Sequence, residues 1–254
     1  MNRVLNLAAF NIRVLLGDPT WFILSWALFA LQLAIYGSLI SRLVGSNLPN
    51  YFFFYSIGLM IIVVFESAED VGRHFVEHAH EGELPYFLSL PVSRSGFLVA
   101  QAIYGVVNTL VKVAPPLLAV LFIWGNLTVS GALFALAALF LLGLGITGTM
   151  VSLSFIAFKA VDIYMAVLAG LSALLIRFST VFYPLAIMPN YYSPVSVLSP
   201  LTYGADLTRW VLGFDPKYLL NPVLAAVVVT AIAVSTLSLS ARIVDKIIEG
   251  VKAA

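Results

Sequence analysis

Apolar residues run nearly unbroken through six stretches of the chain, and the short passages between them hold most of the charge. A helix crossing a hydrocarbon core about 30 Å thick needs about 20 such residues. The pattern therefore predicts six transmembrane helices, at about 21–40, 51–67, 97–124, 130–158, 163–183 and 218–241. Ahead of them, Asn2 to Leu16 places Asn2, Arg3, Asn6 and Arg13 on one side of a helix and Val4, Leu5, Ile12 and Leu16 away from them. That spacing predicts an amphipathic helix over residues 1–17, lying on the membrane face. Gly17 closes it, and Asp18-Pro19 supplies an N-cap and a first-turn proline for the next helix.

Two stretches depart from simple spans. The second is only fifteen residues long from Tyr51 to Phe65 before Glu66 appears, which puts Glu66 near the polar boundary. Pro184 to Asp215 is apolar but broken by Pro189, Pro194 and Pro200. Within it Ser199 is an N-cap, Pro200 a first helical residue and Gly213 a closing residue, for a helix of about three turns. A helix that short does not cross a bilayer; it dips in and returns.

Composition fixes the class. With 61% hydrophobic and 10% charged residues in 254, and a mean hydropathy of +1.03, the chain is far more apolar than a soluble domain, which carries about 25% charge. The expectation is an all-α integral membrane protein with one domain over 1–254. Net charge is +1, which gives no reason to propose nucleic acid as a partner. There is no cysteine, hence neither a disulfide framework nor a thiolate metal site. Arg13 and Asp18-Pro19 interrupt the first apolar run and no small-residue cleavage site follows it, so the first span is expected to be retained.

Charge placement predicts orientation. With the N-terminus cytoplasmic, the inner loops hold Arg3, Arg13, Arg73, Arg94, Lys159, Arg242, Lys246 and Lys252, and the outer loops only Arg42, Arg209 and Lys217. Both termini are then cytoplasmic. So is the longest charged passage, His74 to Gln101, where Glu77, Glu81 and Glu83 stand beside His74, His78 and His80 and a break at Leu90-Pro91 follows. The composition there predicts a short polar helix, a turn and a return into the membrane.

Glu81-Gly82-Glu83-Leu84-Pro85, followed by Leu88-Ser89-Leu90-Pro91-Val92-Ser93-Arg94, resembles the loop after the second span in membrane subunits of the ABC-2 type transporter family. Ser199-Pro200-Leu201-Thr202-Tyr203, with Asp206 and Arg209 after it and Met188-Pro189-Asn190-Tyr191 before it, resembles the same family's segment ahead of the last span. Tyr191-Tyr192 stands where a tryptophan is common in that family, and Ser199 where asparagine is common. The resemblance implies a permease whose cytoplasmic coupling helix, here Glu77, Glu81, Gly82, Glu83, Leu84 and Pro85, docks on a separate P-loop ATPase. It implies pairing in the cell membrane with a second copy of this permease or with a related permease, an extracellular re-entrant helical segment, and ATP and magnesium on the partner ATPase, with no cofactor on this chain.

No G-x-x-x-x-G-K-[ST] run occurs, so ATP hydrolysis is not expected of this polypeptide. No H-E-x-x-H or G-x-S-x-G run occurs either. Lys112 and Arg177 fall inside predicted spans, where a central cation costs about 2.5–3.5 kcal/mol on insertion scales and must face protein or water; Glu66 is a candidate partner. Pathway or gate candidates are Lys112, Arg177, Tyr183, Tyr203, Asp206 and Arg209. Asp206 and Arg209 can pair i,i+3 on one helix face; an exposed pair of this kind is worth only about 0.2–0.5 kcal/mol, so they are expected to hold the short helix against the fifth span or a second protomer, within an outer gate over Pro184 to Gly213. The resemblance implies an exporter of a lipophilic, drug-like, lipid or glycan substrate; an importer permease and a carrier or membrane enzyme without an ATPase stay open. The importer loop pattern begins at Glu77-His78-Ala79, but Gly82 comes too early for it.

Overall fold

The computed structural model describes residues 2–44, 48, 50–80, 94–125, 128–157 and 160–253, and among them the ordered elements are all helical. Helix α1 spans Asn2–Gly17. Helix α2 (Thr20–Gln32) continues through a π turn at Leu33–Gly37 into α3 (Ser38–Val44). The cap of α2 is shifted by one residue from expectation: Pro19 is the N-cap, and the Asp18 side chain accepts from the Thr20 backbone N–H at 3.1 Å. Hydrogen bonds from Thr20 hold the Asp18 carboxyl below its usual range.

Helix α4 runs from Tyr51 to His80, thirty residues without a break. The helix does not end near residue 67 as expected; the polar helix expected in the following loop falls mostly on residues 81–93, which lie outside the described residues. Ile61, Val64, Phe65, Ala68, Val71 and Val76 are buried at helical spacing and carry the apolar stripe well past Glu66. Glu66 consequently lies well inside the helix. Helices α5 (Arg94–Trp124), which holds Pro115 and Pro116 inside it, and α6 (Val129–Ala157) follow.

Helix α7 (Val161–Arg177) stops short of the predicted span end at 183. Its 17 residues reach about 25 Å at 1.5 Å per residue. Beyond it the Thr180 and Val181 carbonyls turn to Arg209 instead of continuing a helical ladder. Short helices α8 (Ser193–Leu198) and α9 (Pro200–Val211) precede the long α10 (Pro222–Ala253). Five helices are long and apolar enough to cross a membrane, at Thr20–Leu43, Tyr51–His74, Ile103–Trp124, Val129–Ser154 and Pro222–Ile243. This is a multi-pass helical membrane protein, with five such helices among the described residues where the sequence predicted six.

α6 is the axis of the bundle, packed against α4, α5, α7, α9 and α10. Small residues bring its backbone close. A Cβ on Gly148 would sit 2.7 Å from Thr236 Oγ1 and 2.8 Å from the Leu237 backbone nitrogen, so this glycine sets the α6–α10 distance. Thr236 Oγ1 donates to the Gly145 carbonyl at 2.9 Å across the same contact. α1 packs on α5, burying Leu7 and Ala8, while Leu5, Phe10, Val14 and Leu16 stay exposed. The exposed outer faces of α2, with Ile23 and Leu31, and of α10, with Val223, Val227 and Val234, are apolar, as lipid-facing surfaces require.

Candidate functional site

Spacing along α4 places five ionisable residues together. At about 100° per residue, Glu66, Glu69, Asp70, Arg73 and Glu77 fall within one arc of about 100°. That arc is opposite the buried stripe, and it faces an open cavity of about 1540 Å³ bordered by α1, α2, α4 and α5. All five residues line it, with Lys112, Asn108, Tyr104 and Gln101 from α5 and Phe10, Trp21, Phe22 and Phe29 from α1 and α2. One wall is thus ionised and the facing wall aromatic and aliphatic.

The charges are partly matched. Lys112 Nζ donates to Asp70 Oδ2 at 2.7 Å, and Arg73 Nη2 donates to Asp70 Oδ1 at 2.6 Å. One carboxylate therefore holds both cations, and the partner of Lys112 is Asp70, one turn beyond the Glu66 expected from the sequence. Glu69 Oε2 accepts from Ser172 Oγ of α7 at 3.2 Å. Asn108 is 2% exposed, and its Oδ1 has no hydrogen-bond partner. A buried acceptor left without a donor costs about 1–3 kcal/mol, which a bound group able to donate would relieve.

Ser172 belongs also to a second cavity, of about 870 Å³, whose lining includes Arg177, Phe182, Tyr183, Met188 and Tyr192. The Ser172–Glu69 hydrogen bond joins a residue of each cavity. Arg177 faces this cavity, but it is not two-thirds along a longer helix as expected. It is the last residue of α7 and is exposed, where the helix dipole favours a cation. Its carbonyl accepts from the Tyr192 hydroxyl, and Phe178 stacks on Tyr192 with ring centroids 5.0 Å apart. Tyr183 faces Tyr51 at a centroid distance of 6.4 Å.

In the short helix α9 the expected Asp206–Arg209 pair forms, buried rather than exposed. Asp206 is 1% exposed and Arg209 is fully buried. Arg209 Nη1 donates to Asp206 Oδ1 at 3.2 Å and to the Thr180 carbonyl at 2.7 Å. Its Nη2 donates to the Val181 and Phe54 carbonyls, each at 3.0 Å, and Nε reaches Phe54 O at 3.3 Å. The guanidinium also lies 3.4 Å over the Phe54 ring centroid. All five of its N–H donors are thereby engaged. Asp206 accepts in addition from Thr180 Oγ1 at 2.9 Å and from the Leu220 N–H at 3.1 Å. The pair ties α4, the turn after α7, α9 and the lead into α10 together.

Local sequence explains how α9 presents them. Pro200 starts the helix as predicted, but the Ser199 hydroxyl does not cap it; it donates to the Leu175 carbonyl at 3.0 Å. Gly213, with φ +79, ends it in a Schellman turn, in which Phe214 N–H bonds to Arg209 O and Gly213 N–H to Trp210 O, both at 3.0 Å. Tyr203 is 9% exposed within the same helix. At Gly58 of α4, a Cβ would sit 2.0 Å from the Val181 carbonyl oxygen, so only glycine admits this turn.

Of the residues predicted for ATPase docking, Glu77 is described; it is exposed and lines the large cavity. Glu81, Gly82, Glu83, Leu84 and Pro85 lie outside the described residues. The sequence did not single out Glu69, Asp70, Asn108 or Ser172. The i, i+3, i+4 spacing of the acidic residues was the available signal, obscured by reading the second span as ending near residue 67. Comparison with protein-family models and with curated protein sequences finds no match for this chain.

Proposed function

We propose that this chain is the permease subunit of an ATP-driven transporter of ABC-2 type, working as an exporter. The observation that carries a transport reading is the large cavity among membrane-spanning helices, with Glu66, Glu69, Asp70 and Lys112 on its wall. Ionisable side chains at membrane depth are expensive, and they persist where they face one another or a solute path. The Ser172–Glu69 hydrogen bond brings a residue of the second cavity, which lies beside the segment preceding α8, against this wall.

The family assignment rests on the two sequence blocks at 81–94 and 188–209. The architecture supports it in three respects: an N-terminal amphipathic helix packed at the base of the bundle, a proline-led short helix ahead of the last span, and a long second helix ending at the charged loop. In this reading α7 is the fifth of six spans and α8–α9 the extracellular re-entrant segment. Both termini are cytoplasmic, in the cell membrane. Two copies pair, and residues 77–85 dock on a P-loop ATPase that carries ATP and magnesium. The permease performs no hydrolysis itself. Because Asp206 and Arg209 clamp α9 to α4, any gate on that side is the segment preceding α8, which lines the second cavity, rather than α9.

Purification of the tagged chain from native membranes in mild detergent tests this reading. A P-loop ATPase should co-purify in equal amount, and Glu81→Lys with Glu83→Lys should abolish its recovery while leaving the permease intact. Recovery of the permease with no ATPase at any ionic strength would refute it, leaving a carrier that works without ATP.

A further inference from the structure

Resting on the cavity as a solute path, we propose that the cavity between α1, α2, α4 and α5 takes an amphipathic organic cation. At about 1540 Å³ it is larger than drug-sized pockets of about 300–1,000 Å³, so a drug-sized solute fits with room for water or lipid beside it. Among the described residues its lining carries five carboxylates, Asp18, Glu66, Glu69, Asp70 and Glu77, against the two permanent cations Arg73 and Lys112. Both cations are already held by Asp70. The surplus is therefore negative, and Glu66 has neither a hydrogen bond nor an ion pair within the described residues.

Asn108 gives independent support. Its buried Oδ1 lacks a donor, so the cavity wall offers a neutral acceptor as well as carboxylates and calls for a ligand that brings N–H groups. The opposing wall of Trp21, Phe22 and Phe29 supplies aromatic faces for the apolar body of such a ligand and for cation–π contact. A bare metal ion fits poorly: among the described residues no three His, Asp or Glu side chains converge to hold one. An anion would meet the surplus carboxylates.

Rhodamine 6G and fluorescein share one ring system, and the first is a cation bearing N–H groups while the second is an anion. Their binding to the purified full-length permease in uncharged-lipid nanodiscs, corrected for empty nanodiscs, is followed by fluorescence anisotropy. Saturable rhodamine 6G binding at least about tenfold tighter than fluorescein is expected, with Glu66→Gln weakening it about tenfold and Glu66→Asp restoring it. Equal or tighter fluorescein binding, or no saturable rhodamine 6G binding, overturns the proposal. That comparison needs no variant, so a misfolded Glu66→Gln does not protect the idea. No ATPase is present, so failure to find an ATPase partner leaves this result standing, whereas an assembled permease–ATPase complex that prefers fluorescein sinks the cation assignment alone.

Discussion

Replacing Arg209 by methionine tests whether the α9 network holds the bundle together. The substitution keeps an unbranched side chain of comparable length and removes the charge. It leaves the Asp206 carboxylate, 1% exposed, with only Thr180 and Leu220 as donors, and strips donors from the Phe54, Thr180 and Val181 carbonyls. Breaking a buried ion pair from one side costs about 3–5 kcal/mol, because the surviving charge stays desolvated. At about 2–4 °C per kcal/mol for a chain of this size, the melting temperature in detergent should fall by roughly 6–20 °C. The assay is intrinsic tryptophan fluorescence on heating, with size-exclusion chromatography before and after. Arg209→Met combined with Asp206→Leu removes both charges and should recover part of the loss, the two sites coupling by about 1–3 kcal/mol. A fall of less than about 2 °C for Arg209→Met, or no recovery in the double variant, would refute the claim that the pair is a buried clamp.

Gly58→Ala should destabilise by about 1–3 kcal/mol or more, since its Cβ would meet the Val181 carbonyl oxygen at 2.0 Å; Gly170→Ala, with open space around it in α7, should stabilise by about 0.5–1 kcal/mol. Thermal melts of both variants side by side check the pair. Gly148→Leu should force α6 from α10 and prevent recovery of a monodisperse protein, whereas Gly17→Ala, which meets nothing within 4 Å, should be recovered normally; chromatographic yield distinguishes them. Lys112→Met should cost stability in detergent melts, and adding Asp70→Asn should not cost much more, because the second change removes the carboxylate left underpaired by the first.

Much of the architecture was legible from residue type and spacing. Hydrophobic runs of about 20 residues leave few alternatives to membrane helices, because a backbone in hydrocarbon must satisfy its own hydrogen bonds. Hence α2–α3, α5, α6 and α10 lie close to where the pattern put them, and Pro200 and Gly213 bracket α9 through local backbone preferences alone. What depended on neighbours was not legible. α4 passes through Glu66, Glu69 and Asp70 as one helix because its other face is buried on α6 and α5 and Lys112 arrives from α5 to hold Asp70, a contact 42 residues away in sequence. α7 ends at Arg177, not at residue 183, because Arg209 takes the Thr180 and Val181 carbonyls. The sequence alone determined the class of molecule and the approximate course of its long helices. Tertiary structure alone decided that Asp206 and Arg209 are a buried clamp and that the polar face of α4 opens on a cavity. Periodicity reports which residues share a face, but desolvation and pairing are set by what another segment places against that face.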